Sequence, residues 1–321
     1  MNSSDASAVA ERALLEGASP RPVLRIICGP TGAGKTALAH HLARHHGLTI
    51  ISADSRQIYR DFDIGTAKPS VADREGIAYR GLDIAAPTAR WSAAQWAADA
   101  EQWITECGAD RALVVGGTGL YLRALTAPLH DAPVLDPGAR AALDAELQQL
   151  PLDALRRLCQ QLDPPRAHLG RTQLLRSIET ARLTGRPLSD WHARSARPPR
   201  FDARWLVVDP GPRLRVQLAE RVDAMLAAGW LEEVRALVPR LPADAAAWQG
   251  CGYRALRDVV EGGTSLAAAR ESILIETRQY AKRQRTWFRH QLTGSNVSIV
   301  DPHDPDAHDV VERWWRGGLQ R

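Results

Sequence analysis

Little in this 321-residue chain is available for cross-linking or for spanning a bilayer. Its four cysteines, Cys28, Cys107, Cys159 and Cys251, are widely spread with no C-x-x-C pair. That argues against a zinc site or a disulfide framework and fits a reducing, cytoplasmic setting. No run of eighteen apolar residues occurs, so no membrane-spanning helix is expected. The opening MNSSDASAVAERALLEGASPRP has no basic segment leading into an apolar core. It does not read as a secretory signal, and residues 1–22 are expected to form a disordered extension. Charge of either sign is also in short supply as an excess: 41 Lys and Arg face 37 Asp and Glu, a net of +4. A nucleic-acid partner must therefore show itself through clustering rather than through the total.

What the chain does have is alternation. The apolar runs VLRIIC (23–28), LTIISAD (48–54), YRGLDI (79–84) and ALVVGGTG (112–119) read as strands. Helical spacing lies between them over 35–46 and 92–107, where Trp96, Ala100, Trp103 and Ile104 share a face. Strands alternating with helices predict a parallel sheet covered on both faces. The alternation then stops. Residues 126–200 are helical in pattern and arginine-rich, with eleven Arg against eight acids from Asp131 to Arg200. RWLVVDP (204–210) restores the strand signal and helical sequence continues to about 291. The expected fold is α/β: a P-loop NTPase-like parallel-sheet core over 23–125 and 201–292, with a mostly helical insert at 126–200. Residues 293–321 read as a tail with a mobile end, in which VSIV is a candidate last strand.

The strongest local signal is GPTGAGKT: Gly29, Pro30, Thr31, Gly32, Ala33, Gly34, Lys35 and Thr36. G-x-x-x-x-G-K-[ST] between strand and helix converges backbone N–H groups on one anion at the positive end of a helix. Lys35 adds a point charge, and Thr36 offers the hydroxyl that usually ligates Mg²⁺. The motif fixes a phosphate ligand class and leaves the chemistry open. Asp54, in ADSRQIY, follows the second strand at the sheet edge where ligands bind. The alternatives on position alone are a cap of the next turn or a magnesium ligand. Thr118, in VVGGTGLY, offers a hydroxyl from another glycine turn at the same edge. Asp209 is the other carboxylate ending an apolar strand, but Pro210 follows it.

In ETRQYAKRQRTWFRHQ (276–291), Arg278, Lys282, Arg285 and Arg289 fall on one arc of a helix. Ile273, Thr277, Tyr280, Gln284, Trp287 and Phe288 form a neighbouring stripe suited to docking on the core. The basic arc is a solvated face or, together with the arginine-rich insert, a surface for a polyanion. The pairs His40–His41 and His45–His46 read as a polar helix face, with metal binding as the alternative. Trp191 and His192 could stack on a base or pack within the insert.

Taken together, GPTGAGKTALA, SADSRQIYRDFDIGTAKP, VVGGTGLYLRAL, LTGRPLSDW, GYRAL and RQYAKRQRTWFR resemble the bacterial tRNA isopentenyltransferase family, in order and over Leu24 to His290. The resemblance implies transfer of a dimethylallyl group from dimethylallyl diphosphate to N6 of the adenine immediately 3′ of the anticodon, in tRNAs reading U-starting codons. It implies that residues 29–36 hold the diphosphate, with Mg²⁺ on Thr36. It implies that Asp54 takes the adenine proton, that Thr118 touches the reacting centre, and that Lys35 and Arg221 stabilise the leaving group. tRNA contacts are implied at Asp54, Ser55, Arg56 and Gln57, at Thr172, Gln173, Leu174, Leu175 and Arg176, and at Gln249, Gly250, Cys251, Gly252, Tyr253 and Arg254. The basic arc is expected to join them. The chain departs from the family pattern at Thr172–Gln173 and at Gly250–Cys251. The partners implied are the tRNA anticodon stem-loop and dimethylallyl diphosphate, with the enzyme a cytoplasmic monomer and no membrane involved.

Three other readings share the loop. A small-molecule or nucleoside kinase predicts ATP consumption and has no use for a basic C-terminal helix. An adenine-nucleotide isopentenyltransferase has no use for the insert either. A nucleic-acid-binding NTPase predicts a clear magnesium-holding carboxylate strand and measurable hydrolysis.

Overall fold

The computed structural model describes residues 21–127, 133, 135–194 and 199–317. The N-terminal extension lies outside these residues up to position 20. Two compact units emerge: the residues up to Thr126 together with those from Arg200, and Ala127–Pro199 between them.

The first unit is built on β1 (Val23–Cys28), β2 (Thr49–Ser52), β3 (Ala78–Arg80), β4 (Ala112–Gly116), β5 (Asp202–Val208) and β6 (Val297–Val300). They form one six-stranded sheet in the order β3-β2-β4-β1-β5-β6, and every pairing is parallel. Apolar runs such as IIC and ALVV suit central strands covered on both faces, and Leu24, Ile26, Ile27, Leu113 and Val114 are fully buried. Register then places the chemistry. Cys28 pairs with Gly116 on one side and Val207 on the other, while Ser52 pairs with Val115. The chain therefore leaves β1, β2, β4 and β5 along one edge, at Gly29, Ala53, Gly117 and Asp209. The second apolar run, expected as a strand to 54, stops at Ser52, which frees Asp54 to turn.

Around the sheet lie α1 (Lys35–His46), α2 (Ala93–Cys107) and α3 (Gly119–Thr126); the second unit, taken by itself, consists of α4 (Pro137–Gln148), α5 (Leu152–Leu162), α6 (Arg171–Thr184) and α7 (Leu188–Arg194). The first unit resumes with α8 (Leu214–Ala227), α9 (Trp230–Leu237), α10 (Tyr253–Val260), α11 (Leu266–Gln291) and α12 (Ala307–Arg316). Helix α2 begins with a capping box between Ser92 and Gln95, and its Trp96 indole donates to Ser52 O at 3.0 Å.

In the segment after 292, read as a tail with VSIV as a candidate strand and a mobile end, the candidate strand is present and a helix follows it. VSIV is the sixth strand of the sheet, and α12 buries Val311, Trp314 and Trp315 in the main core. The Trp314 indole donates to Trp205 O at 3.2 Å, and Arg25 stacks over Trp315 at 4.3 Å. Apolar burial of this size, at about 25 cal/mol per Å², offsets the entropy of ordering a terminal helix.

The second unit has its own core of Leu147, Leu155, Cys159, Leu174, Leu175 and Ile178. Many of its arginines are engaged internally. Arg171 donates to the carbonyls of Gln148 and Leu150 at 2.8 Å, closing the C-terminus of α4. Arg140 meets the buried Glu179 at 3.0 Å, Arg182 meets Glu146 at 3.0 Å, and Arg166 donates to Ser177 at 2.7 Å.

Candidate functional site

The loop after β1 holds a conformation that only glycine permits at its start. Gly29 has φ +147°, and a Cβ there would stand 2.2 Å from Val208 O. The loop wraps a cavity of about 150 Å³ lined by Thr31 to Thr36 together with Asp54, Gln57, Gly117, Arg221 and Gln284. Lys35 Nζ donates to Pro30 O at 2.7 Å. Burial lowers its pKa to about 8, the Asp54 carboxylate pulling the other way and Arg221 adding to the fall. Burial likewise holds the Arg221 guanidinium below its ordinary value, again opposed by Asp54. Two desolvated cations face one carboxylate, and Asp54 is the only acid among the described residues of the lining. Such a cavity is short of negative charge, which an anionic ligand supplies.

Asp54 is both a cap and a site residue. Its Oδ1 accepts from the N–H groups of Arg56 at 2.8 Å and Gln57 at 3.4 Å, which fixes the carboxylate. Its neighbour Ser55 donates its N–H to Thr118 Oγ1 at 3.0 Å, tying the two strand-end turns together. Asp54 also lines a second, smaller cavity of about 60 Å³, whose wall includes Met225, Trp230, Gly250, Cys251, Thr277 and Tyr280. Thr31, Thr66 and Arg221 are shared between the two as well. Burial raises the pKa of the Tyr280 hydroxyl, and the Asp54 carboxylate adds to the rise. Asp209 does not fill a magnesium-holding role here, because Arg285 pairs with its carboxylate and the Gly211 N–H donates to it at 3.0 Å.

The supporting contacts come from distant sequence. Glu233 on α9 accepts from the N–H groups of Asp63 at 2.9 Å and Ile64 at 2.7 Å, and from the Tyr253 hydroxyl at 2.7 Å. Gln57 donates to Thr66 O and Ala67 O at 3.2 and 3.1 Å while accepting from Ser52. Lys68, almost wholly buried, meets Asp63 and Asp83. Gln284 and Tyr280 were legible only as members of a docking stripe. The structure makes both site residues, and Gln284 was the polar intruder among apolar positions that could have signalled it.

Several expected RNA-contact residues lie elsewhere than on a surface. Leu174 and Leu175 belong to the core of the second unit, and Tyr253 is fully buried against Trp230 and Phe62. Arg285 is held by Asp209 and Gly211 O rather than free on the basic arc. Gly250 and Cys251 line the second cavity, and the Gly252 N–H donates to Glu276 at 3.0 Å. Thr172, Gln173, Gln249, Arg254, Lys282 and Arg289 are exposed, Arg278 is half-buried, and Arg176 lies 4.0 Å from Glu179.

Residues 57–291 match the family model described as IPP transferase, and residues 22–83 match one described as Isopentenyl transferase. The chain is 38% identical over 302 residues to the tRNA dimethylallyltransferase of Deinococcus radiodurans, covering 91% of this chain and 97% of that one. It is 42% identical over 307 residues to that of Gloeobacter violaceus, covering 92% and 94%. Among solved structures, the tRNA isopentenylpyrophosphate transferase of Staphylococcus epidermidis superposes with a TM-score of 0.64 at 29% identity, over 91% of this chain and 97% of the other. A eukaryotic dimethylallyltransferase acting on tRNA shares the fold, with a TM-score of 0.74 at 23% identity over 94% and 81%. With a family model spanning most of its length and relatives matched nearly end to end, this chain belongs to the IPP transferase family, alongside the bacterial tRNA dimethylallyltransferases.

Proposed function

We propose that this enzyme transfers a dimethylallyl group from dimethylallyl diphosphate to N6 of the adenine 3′ of the anticodon, in tRNAs reading U-starting codons, releasing diphosphate. The observation that carries the reading is the placement of Asp54. It lines both cavities, one furnished with Lys35, Arg221 and the phosphate loop, the other with Tyr280, Trp230 and Met225.

In this reading the diphosphate sits against the N–H groups of Gly32, Gly34, Lys35 and Thr36 and between the Lys35 and Arg221 side chains. As the allylic C–O bond breaks, its electron pair leaves with the diphosphate, and the two cations stabilise the charge that develops there. The N6 lone pair forms the new C–N bond, and the N6 proton passes to Asp54. A positioned base of this kind contributes roughly 10²–10⁴ in rate. Asp54 is suited to the task because one oxygen is fixed by Arg56 and Gln57 N–H, leaving the other to accept the proton. Thr118, which accepts from the Ser55 N–H, holds this face of the site in place.

The Thr36 hydroxyl lines the phosphate cavity and, with substrate oxygens, offers the hard oxygen ligands Mg²⁺ prefers. When bound there, Mg²⁺ supplies further neutralisation of the leaving group. The anticodon stem-loop is the macromolecular partner in this proposal, met by exposed residues such as Lys282, Arg289, Arg254, Gln249 and Thr172, with the enzyme acting as a cytoplasmic monomer. The target base leaves its stack to reach Asp54, as base-modifying chemistry requires.

The test is mass spectrometry of an unmodified anticodon stem-loop incubated with Mg²⁺ and either dimethylallyl diphosphate or ATP. A gain of one C₅H₈ unit with the diphosphate alone, lost in Asp54→Ala, is the expected result. No mass gain, with ADP formed from ATP, overturns it.

A further inference from the structure

The paired histidines of α1 do more than form a polar face. His40 is buried and its Nε2 lies 2.5 Å from the Tyr79 hydroxyl. His41 and His45, one turn apart, meet Glu312, which α12 brings from near the other end of the chain. His41 Nε2 stands 3.3 Å from Glu312 Oε1, His45 Nδ1 stands 3.5 Å from the same oxygen, and the two nitrogens are 3.3 Å apart. Glu312 Oε1 is itself buried, and two imidazole nitrogens converge on it. We propose that His41, His45 and Glu312 form a binding site for a divalent transition metal of the zinc class, which staples α12 to the phosphate-loop helix.

The triangle of ligand atoms has the right size. Zinc holds nitrogen and carboxylate oxygen at about 2.0–2.2 Å in tetrahedral geometry, so ligand atoms on one face of the tetrahedron stand about 3.3–3.5 Å apart. The three measured separations fall in that range, leaving the fourth corner for water or another ligand. His308 stacks on His41 with centroids 4.4 Å apart, which places a further imidazole beside the cluster. The outer groups are those a metal-bound carboxylate uses. His46 Nε2 lies 2.9 Å from Glu312 Oε2, and Arg316 donates to that oxygen at 3.3 Å, so the carboxylate is oriented with Oε1 toward the histidines. Imidazole and carboxylate donors favour zinc, cobalt, nickel or copper over magnesium. The site is separate from the phosphate cavity and from Asp54, since none of its residues lines either cavity.

The test uses the full chain freed of any affinity tag and stripped with chelator, then titrated with Zn²⁺ alone by calorimetry and with Co²⁺ alone by visible absorption. His45 is more than half exposed, so His45→Ala folds and isolates the ligand; Glu312→Gln is the second variant. One metal per chain, a four-coordinate cobalt spectrum, a Tm raised by several degrees with Zn²⁺, and affinity more than about tenfold weaker in each variant are expected. Absence of binding in the unaltered chain, or binding unchanged in either variant, overturns the site.

Discussion

Gln284 of α11 joins two loops that the sequence keeps far apart: its Nε2 donates to Gly117 O and its Oε1 accepts from the Thr31 N–H, each at 2.8 Å. Gly117 permits this approach because a Cβ there would stand 2.4 Å from Nε2. Helix α11 thereby sets the spacing between the phosphate loop and the turn carrying Thr118. Gln284→Leu leaves the buried Gly117 carbonyl without its partner, a cost of about 1–3 kcal/mol, and frees the half-buried Thr31 N–H. The expected outcome is a lower Tm and a raised KM for dimethylallyl diphosphate, with RNA affinity retained. A variant that melts and binds like the parent removes Gln284 from the site.

Asp54→Asn is the cleaner test of the base than truncation, because the amide oxygen can still accept from Arg56 and Gln57 N–H. The kcat should fall by roughly 10²–10⁴ with Tm and diphosphate affinity nearly unchanged. Single-turnover rates from native and variant chains, compared with their melting curves, check this. A loss of stability in proportion to activity would reduce Asp54 to a turn cap.

Lys35 titrates near 8 in the folded chain against an ordinary 10.5. Below pH 8 it is protonated in folded and unfolded chains alike, so the cost of its burial is constant there. Between pH 8 and 10.5 the folded chain releases the proton first, so stability rises with pH relative to Lys35→Met. Anion binding runs the other way. Pyrophosphate favours the ammonium, so its affinity weakens as pH climbs above 8. Lys35→Arg carries only the ligand's own ionisation and serves as the reference. Parallel pH profiles for native and Lys35→Arg chains would contradict the assignment.

The phosphate loop, Asp54 and the Thr118 turn were legible because each follows an apolar strand in a recognisable pattern, and parallel register delivers all of them to one edge. Gln284 and Glu233 were not, since their partners lie 253 and 169 residues away in Thr31 and Ile64. Local pattern carries no record of such pairing. Leu174 and Leu175 sat inside a motif but on its buried face, where helix packing rather than ligand contact fixes the residue type. Helix α12 escaped notice because Val311, Trp314 and Trp315 are interleaved with Glu312, Arg313 and Arg316 in a segment only ten residues long.

Glu233 closes the segment after Asp61 by accepting from Asp63 and Ile64 N–H and from Tyr253. Glu233→Ala removes a charged acceptor from all three, worth about 3 kcal/mol at hydrogen bonds of this kind. For a unit of this size that is roughly 6–12 °C in Tm. Limited proteolysis should cut near residues 61–68 in the variant sooner than in the parent. Unchanged Tm and cleavage would mean that Lys68 and Gln57 hold the segment without it.

The basic arc divides into residues available to RNA and one that is not. Lys282 and Arg289 are exposed, whereas Arg285 is held by Asp209 and Gly211. If about six phosphates are contacted, the stem-loop affinity falls with salt at a log–log slope of roughly −4 to −5. Lys282→Ala and Arg289→Ala should each flatten that slope by roughly 0.7–0.9 while leaving Tm in place. Arg285→Ala should leave the slope alone and lower Tm, because it strips Asp209 of its partner beside the phosphate loop. Affinities measured between about 50 and 200 mM salt for the three variants decide the matter. A flattened slope in Arg285→Ala with an unmoved Tm would return that arginine to the RNA surface and leave the Asp209 pair without a structural role.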